Sequence, residues 1–141
     1  YYNDFKENDE SFKMPSLKKM SSLSQNILGA IDYEKVRLRR HQNFLYLHNN
    51  LGNSNVLDIR VPDGPFSYPY YVKNGIVVRK VLAEKKIYIP TLWPNVLKEN
   101  FEDSIEYDYA TNILPLPCDQ RYGIDDMKRI IIEINNLTRR V

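Results

Sequence analysis

Apolar positions in the last third of the chain repeat with a helical period. Met127, Ile130, Ile131, Ile134 and Leu137 fall at i, i+3, i+4, i+7 and i+10, one continuous stripe. Asp125 and Asp126 precede it, where negative charge suits a helix N-terminus. Burying five such side chains is worth roughly 1.5–3 kcal/mol each before entropy, so this helix needs a sheet to lie on. A second helical pattern opens after Asp32, a residue type that caps helices. Val36, Phe44, Leu47 and Leu51 form its stripe, Arg40 falls on the same side, and Gly52 is placed to end it in a left-handed conformation. Leu23, Ile27, Ala30 and Ile31 predict a shorter helix over 22–31. Residues 1–15 are polar and carry no pattern, which reads as an arm.

Between these helices the period changes to two. "NVLDIRV" (55–61) alternates apolar and polar residues and predicts a strand. "PDGP" (62–65) is a turn, and "FSYPYYV" (66–72) a second strand that Pro69 confines to an edge or a bulge. "NGIVVRKVLAEKK" (74–86) predicts a helix with Val78, Val81 and Leu82 inward. "IYIP" predicts a third strand, 91–104 a loop, "SIEYDYAT" a short helix and "NILPLP" a last extended segment. The order gives an α+β fold class: a small sheet with helices packed on one face, preceded by a long connector helix. The domain reading is an arm or linker over 1–20, connector helices over 21–52 and a small α+β domain over 53–141.

Composition narrows the chemistry. The 141 residues suit one core, and a net charge of +2 is too small to demand nucleic acid or a membrane surface. One cysteine, Cys118, excludes an intrachain disulfide and any multi-cysteine metal site. It reads as a buried inert thiol, with a nucleophile as the alternative. His41 and His48 share a helix face but are separated by a rise of about 10.5 Å, too far for one metal ion. The basic run "KVRLRR" (35–40) reads as a solvated face, with a phosphate or RNA contact as the alternative. Asp108 reads as helix surface. No apolar run approaches the ~18 residues of a membrane span. The sparing use of cysteine suggests a reducing, cytoplasmic setting, and the opening "YYNDF" reads as the interior of something longer.

Three segments carry a family resemblance. "NILPLPCDQRYGIDDMKRIIIEI" resembles the C-terminal end of the DegT/DnrJ/StrS family, pyridoxal-phosphate-dependent aminotransferases of fold type I acting on nucleotide-linked keto-sugars. "KMSSLSQNILGAIDYEKVRLRRHQNFLYLHNNL" resembles that family's helix running from the large domain into the small one. "KKIYIPTLWP" falls where the family brings a helix into a short strand and a substrate-facing loop. In order, the three span about residues 14–137.

The resemblance implies the small C-terminal domain of such an enzyme. Its large domain, homodimeric partner and nucleotide-sugar substrate would meet it in the parent. The lysine that holds the cofactor, and the aspartate on its pyridine nitrogen, belong to the large domain of family members. Lys13, Lys18 and Lys19 read as solvated charges, so this chain alone is expected to be inactive and to hold no cofactor. Family members often carry Gly-x-Asn-x-Arg-Met before the connector; here Pro15, Leu17, Lys19 and Met20 stand at those places. Leucine cannot donate a hydrogen bond to a phosphate, which implies a different cofactor contact in the parent, or a parent that is a divergent homologue.

The resemblance makes Thr91, Leu92 and Trp93 substrate-facing candidates. Trp93 offers a flat face for a base or sugar, against the alternative that it is core. Arg121, in the polar turn 119–122, would reach a phosphate or anchor the turn by pairing with Asp119. The rival to the whole reading is a standalone binding or interaction module without enzymatic activity.

Overall fold

The structure, a computed structural model, describes residues 2–11, 18–99 and 102–138. Its backbone divides into two units, Tyr1–Asp32 and Tyr33–Val141. In the first, α1 (Tyr2–Ser11) occupies much of the stretch expected as an unpatterned arm. Asp4 lies in its first turn, and the Ser11 hydroxyl donates to the Asn8 carbonyl. The second helix, α2 (Ser22–Gly29), is capped by Ser21, whose hydroxyl oxygen accepts from the Ser24 amide at 3.1 Å. No residue of α2 is buried. Lys13, Pro15 and Leu17 lie outside the described residues.

The second unit holds the core. Helix α3 (Tyr33–Leu51) starts directly after Asp32 and buries Asn43, Phe44, Leu47 and Leu51. It does not end on a left-handed Gly52. The chain tightens into a 3₁₀ turn, Gly52–Ser54, and the Ser54 hydroxyl donates to the Leu51 carbonyl at 2.9 Å, while the Asn55 amide donates to Gly52. The carbonyls of Leu51 and Gly52 are thus satisfied without a positive φ.

Strands β1 (Ser67–Tyr71) and β2 (Ile113–Pro117) form a two-stranded antiparallel sheet, with Tyr68 opposite Leu116 and Tyr70 opposite Leu114. Those four side chains share the core face and are nearly or fully buried. Ser67, Pro69 and Tyr71 lie opposite Pro117, Pro115 and Ile113. The Pro69 carbonyl and the Tyr71 amide both bond the Asn55 side chain, so backbone groups at these positions point away from the partner strand. All three prolines therefore sit where the ladder needs no N–H.

The pattern predicts four extended segments, and the other two do not pair. Over 55–61 the alternation survives in burial, with Leu57 and Ile59 half-buried and Val56 and Val61 exposed. The edge of β1 this segment would have joined is taken by one side chain. Asn55 donates to the Pro69 carbonyl at 2.9 Å and accepts from the Tyr71 amide at 3.1 Å. Over 87–90, Ile87 and Ile89 are buried and Tyr88 and Pro90 exposed, again without a ladder.

Helix α4 (Gly75–Glu84) buries Gly75, Val78, Arg79 and Leu82, leaving Val81 half-buried. It closes in a Schellman motif: Ile87 N–H donates to Leu82 and Lys86 N–H to Ala83, with Lys86 at φ 60°. The expected loop over 91–104 contains a single turn, α5 (Val96–Glu99), and α6 (Ile105–Asn112) follows, capped by Ser104. The last helix, α7 (Ile124–Thr138), buries Met127, Ile130 and Ile134, with Ile131 and Leu137 packed at the margin. α3 lies against α7 and β1, and α4 against β2 and α6. Among the described residues the result is seven helices and one small sheet, an α+β architecture. No described helix is long and apolar enough to cross a membrane.

Candidate functional site

The turn after β2 is held from below by Asn43. Its side-chain nitrogen lies 3.3, 3.1 and 3.0 Å from the carbonyls of Cys118, Asp119 and Tyr122. This fixes the amide's orientation, because a flip would set oxygen against three oxygens. Beside it Arg40 bridges two loops, donating to the Gln120 side chain at 2.9 Å and to the Pro65 carbonyl at 3.0 Å. Arg121 folds back onto Asp119 through two parallel bonds of 2.8 and 3.0 Å, and Asp119 also accepts from the Arg121 amide. The turn-anchoring pair suggested by the sequence therefore forms. The Arg121 side-chain bonds hold the Asp119 carboxyl below its usual range. The guanidinium carbon also sits 5.6 Å from the Tyr122 ring centroid.

Above this turn lies an open hollow of about 420 Å³, walled by Phe66, Tyr88 and Tyr122 and reached by Arg40 and Arg121. A second hollow, about 260 Å³ and almost wholly apolar, lies between α6 and the loop leading to α5. Leu92, Trp93, Val96 and Tyr109 form its walls, with Glu106 the charged residue there. Trp93 is 69 % exposed, which excludes the core alternative. Its φ of 49° is a left-handed conformation that a bulky residue adopts at a cost of about 1–2 kcal/mol.

Of the four candidates, Leu92 and Trp93 come together in the apolar hollow, while Arg121 lines the other. Thr91 is half-buried beside them in sequence. A third depression, about 110 Å³, includes Lys86, Asp126 and Arg129. Asp126 is exposed and accepts from the Gly123 amide.

Other chemistry-bearing groups are built into the frame. Cys118 is fully buried, and burial pushes its thiol up to about 11. A thiol so protonated is a poor nucleophile. His48 stacks against Phe44 and meets Tyr68 edge-on. Within the basic run, Arg37 lies between Glu34 and Asp63, at 2.5 Å from each, while Arg40 is held by neutral acceptors and keeps its charge. Asp108 is not simply helix surface. It accepts from the Tyr71 hydroxyl at 3.1 and 3.2 Å and from Asn112 at 2.7 Å. Burial, then that carboxylate, raises the Tyr71 pKa. Arg79 is buried with its guanidinium on the carbonyls of Ala110, Thr111 and Ile113, and burial lowers its pKa. Neither Asn43 nor Arg79 was marked by its type or spacing. A polar residue on an apolar stripe was the one available signal.

Among the described residues no group of three metal-ligating side chains is assembled. Lys85 is paired with Glu133 and Lys128 with Asp125, and Lys18 and Lys19 are exposed. None of these three hollows joins a lysine to a buried carboxylate. What the two hollows offer is binding: flat apolar walls in one, walls with guanidinium donors in the other. No family model, curated protein or solved structure matches the chain.

Proposed function

We propose that this chain is the small domain of a fold-type-I, DegT/DnrJ/StrS-like, pyridoxal-phosphate-dependent nucleotide-sugar aminotransferase, catalytically incomplete alone. In the cytoplasmic parent, a homodimer, it closes one side of the active site. The large domain supplies the cofactor and its lysine.

The observation that best supports this is Trp93. A tryptophan held exposed, in a strained backbone conformation, beside an apolar hollow contributes little to folding. Strain of that kind collects where a side chain is aimed at a ligand or partner. It falls in the "TLWP" segment, where the resemblance expects the substrate-facing loop. In this reading Trp93 presents its face to the base or sugar, and Thr91 supplies a hydroxyl.

The test is to read the frame upstream of Tyr1 and express it whole. About 200 or more residues of alternating strand and helix should precede it. The whole protein should then show cofactor absorbance that residues 1–141 lack. Trp93→Ala should lower kcat/KM for a nucleotide-linked keto-sugar about tenfold, the scale of losing one stacked ring. A start codon close to Tyr1, or covalent cofactor on the isolated chain, overturns the reading in favour of a standalone binding module.

A further inference from the structure

We infer that the hollow above the 118–122 turn is a binding site for a flat aromatic ring carrying an anionic group, distinct from the apolar hollow at Trp93. Its lining includes Pro115 and Pro117, apolar rings that offer no N–H. Phe66 and Tyr88 line it too, each 73 % exposed. Among the described residues neither is stacked on another aromatic ring. Walls of this kind select a ring over a bare ion.

The charge at the rim is positive: Arg40 and Arg121 against the single carboxylate of Asp119. Both guanidinium groups are held in place. Arg121 spends Nε and Nη2 on Asp119, and Arg40 spends Nε and Nη1 on Gln120 and Pro65. Those bonds leave Nη1 of Arg121 and Nη2 of Arg40 to donate. A planar guanidinium already fixed in orientation loses little entropy when it takes up an anion. Asn43 holds the turn that carries Arg121, so the rim is braced from the core. A volume of about 420 Å³ accommodates a ring with its anionic group.

The experiment uses this chain without cofactor or large domain, so its outcome is independent of the aminotransferase reading. The ¹H–¹⁵N spectrum is followed on titration with phenyl phosphate, inorganic phosphate and benzyl alcohol. Phenyl phosphate should shift the amides of Ser67 and residues 120–122 saturably, at least about tenfold more tightly than either fragment, and less tightly as salt rises. Tyr88→Ala removes an exposed ring and should weaken phenyl phosphate severalfold while leaving inorganic phosphate unchanged. Arg121→Gln should weaken both anions and spare benzyl alcohol. Equal binding of phosphate and phenyl phosphate would mean an adventitious ion only, and equal binding of benzyl alcohol would mean the arginines contribute nothing. Either result overturns the proposal, as does the absence of saturable shifts at these amides.

Discussion

Replacing Asn43 with alanine removes two N–H donors from beneath three backbone carbonyls, those of Cys118, Asp119 and Tyr122. An amide has two hydrogens, so at most two full bonds, one of them shared, are lost. At about 1 kcal/mol net each, that is ~2 kcal/mol. Cys118 is fully buried, and leaving its carbonyl without a donor adds about 1–2 kcal/mol. Alanine returns roughly 0.6 kcal/mol through its better helix propensity on α3. The expected loss is about 3 kcal/mol, a large part of the ~5–15 kcal/mol that holds a domain together.

Urea unfolding followed by far-UV circular dichroism measures it, with an unchanged slope showing that the two end states are the same. Asn43→Asp sharpens the test. It preserves size but sets a carboxylate against the same carbonyls, so it should destabilise more than alanine. Asn50→Ala, on the exposed face of α3, serves as the control and should stay within about 0.5 kcal/mol. An Asn43→Ala loss below about 1 kcal/mol would show that the clamp contributes no more than a surface bond.

Four further outcomes follow from single observations. Lys86 is the left-handed residue of the Schellman motif, so Lys86→Gly should stabilise by about 0.5–1 kcal/mol after the flexibility of glycine is charged; a lower Tm would contradict this. Gly75→Ala would place a Cβ 2.3 Å from the Thr111 carbonyl oxygen, so backbone must shift, at a cost of about 2–3 kcal/mol in the same urea assay; a neutral result would refute that packing. Trp93→Gly should be neutral within about 1 kcal/mol, because relieved strain offsets the lost contact with the apolar hollow, and a large loss would make Trp93 structural after all. The Cys118 thiol titrates at about 11 folded against about 8.5 unfolded, so its contribution is whole below pH ~8.5 and fades as pH rises toward 11; Cys118→Ala should lack that decline, and the native thiol should react with disulfide reagents at the unfolding rate or slower.

What the sequence made legible follows from what a periodic pattern encodes. The α7 stripe and the apolar face of α3 are repeated choices over many residues, and the structure buries most of them, with Val36, Ile131 and Leu137 half-buried. The Asp119–Arg121 pair was legible because its members are two residues apart. Trp93 was not, since the sequence does not record a positive φ, and whether a tryptophan is core or exposed depends on it. Alternation over 55–61 and 87–90 matches the burial of Leu57, Ile59, Ile87 and Ile89 but not the exposure of Val61. It carried no information on whether a ladder partner exists, because a neighbouring strand is a property of distant backbone.

The missing strands are replaced by side chains. A two-stranded ribbon is marginal alone in water. Here Asn55 occupies the free edge of β1, Arg79 takes the carbonyl of Ile113 where β2 begins, and Asn43 takes that of Cys118 just beyond its end. Arg79 and Asn43 reach 34 and 75 residues along the chain to do so. Each satisfies backbone groups that a further strand or water would otherwise serve. A chain with four extended segments that pairs two can therefore still complete its sheet, and single polar side chains are the means. On this argument the three clamps should couple through the sheet they share. Double variants joining Asn43→Ala with Asn55→Ala or Arg79→Ala should depart from additivity by about 0.5 kcal/mol or more, and strict additivity would mean that each braces its own loop alone.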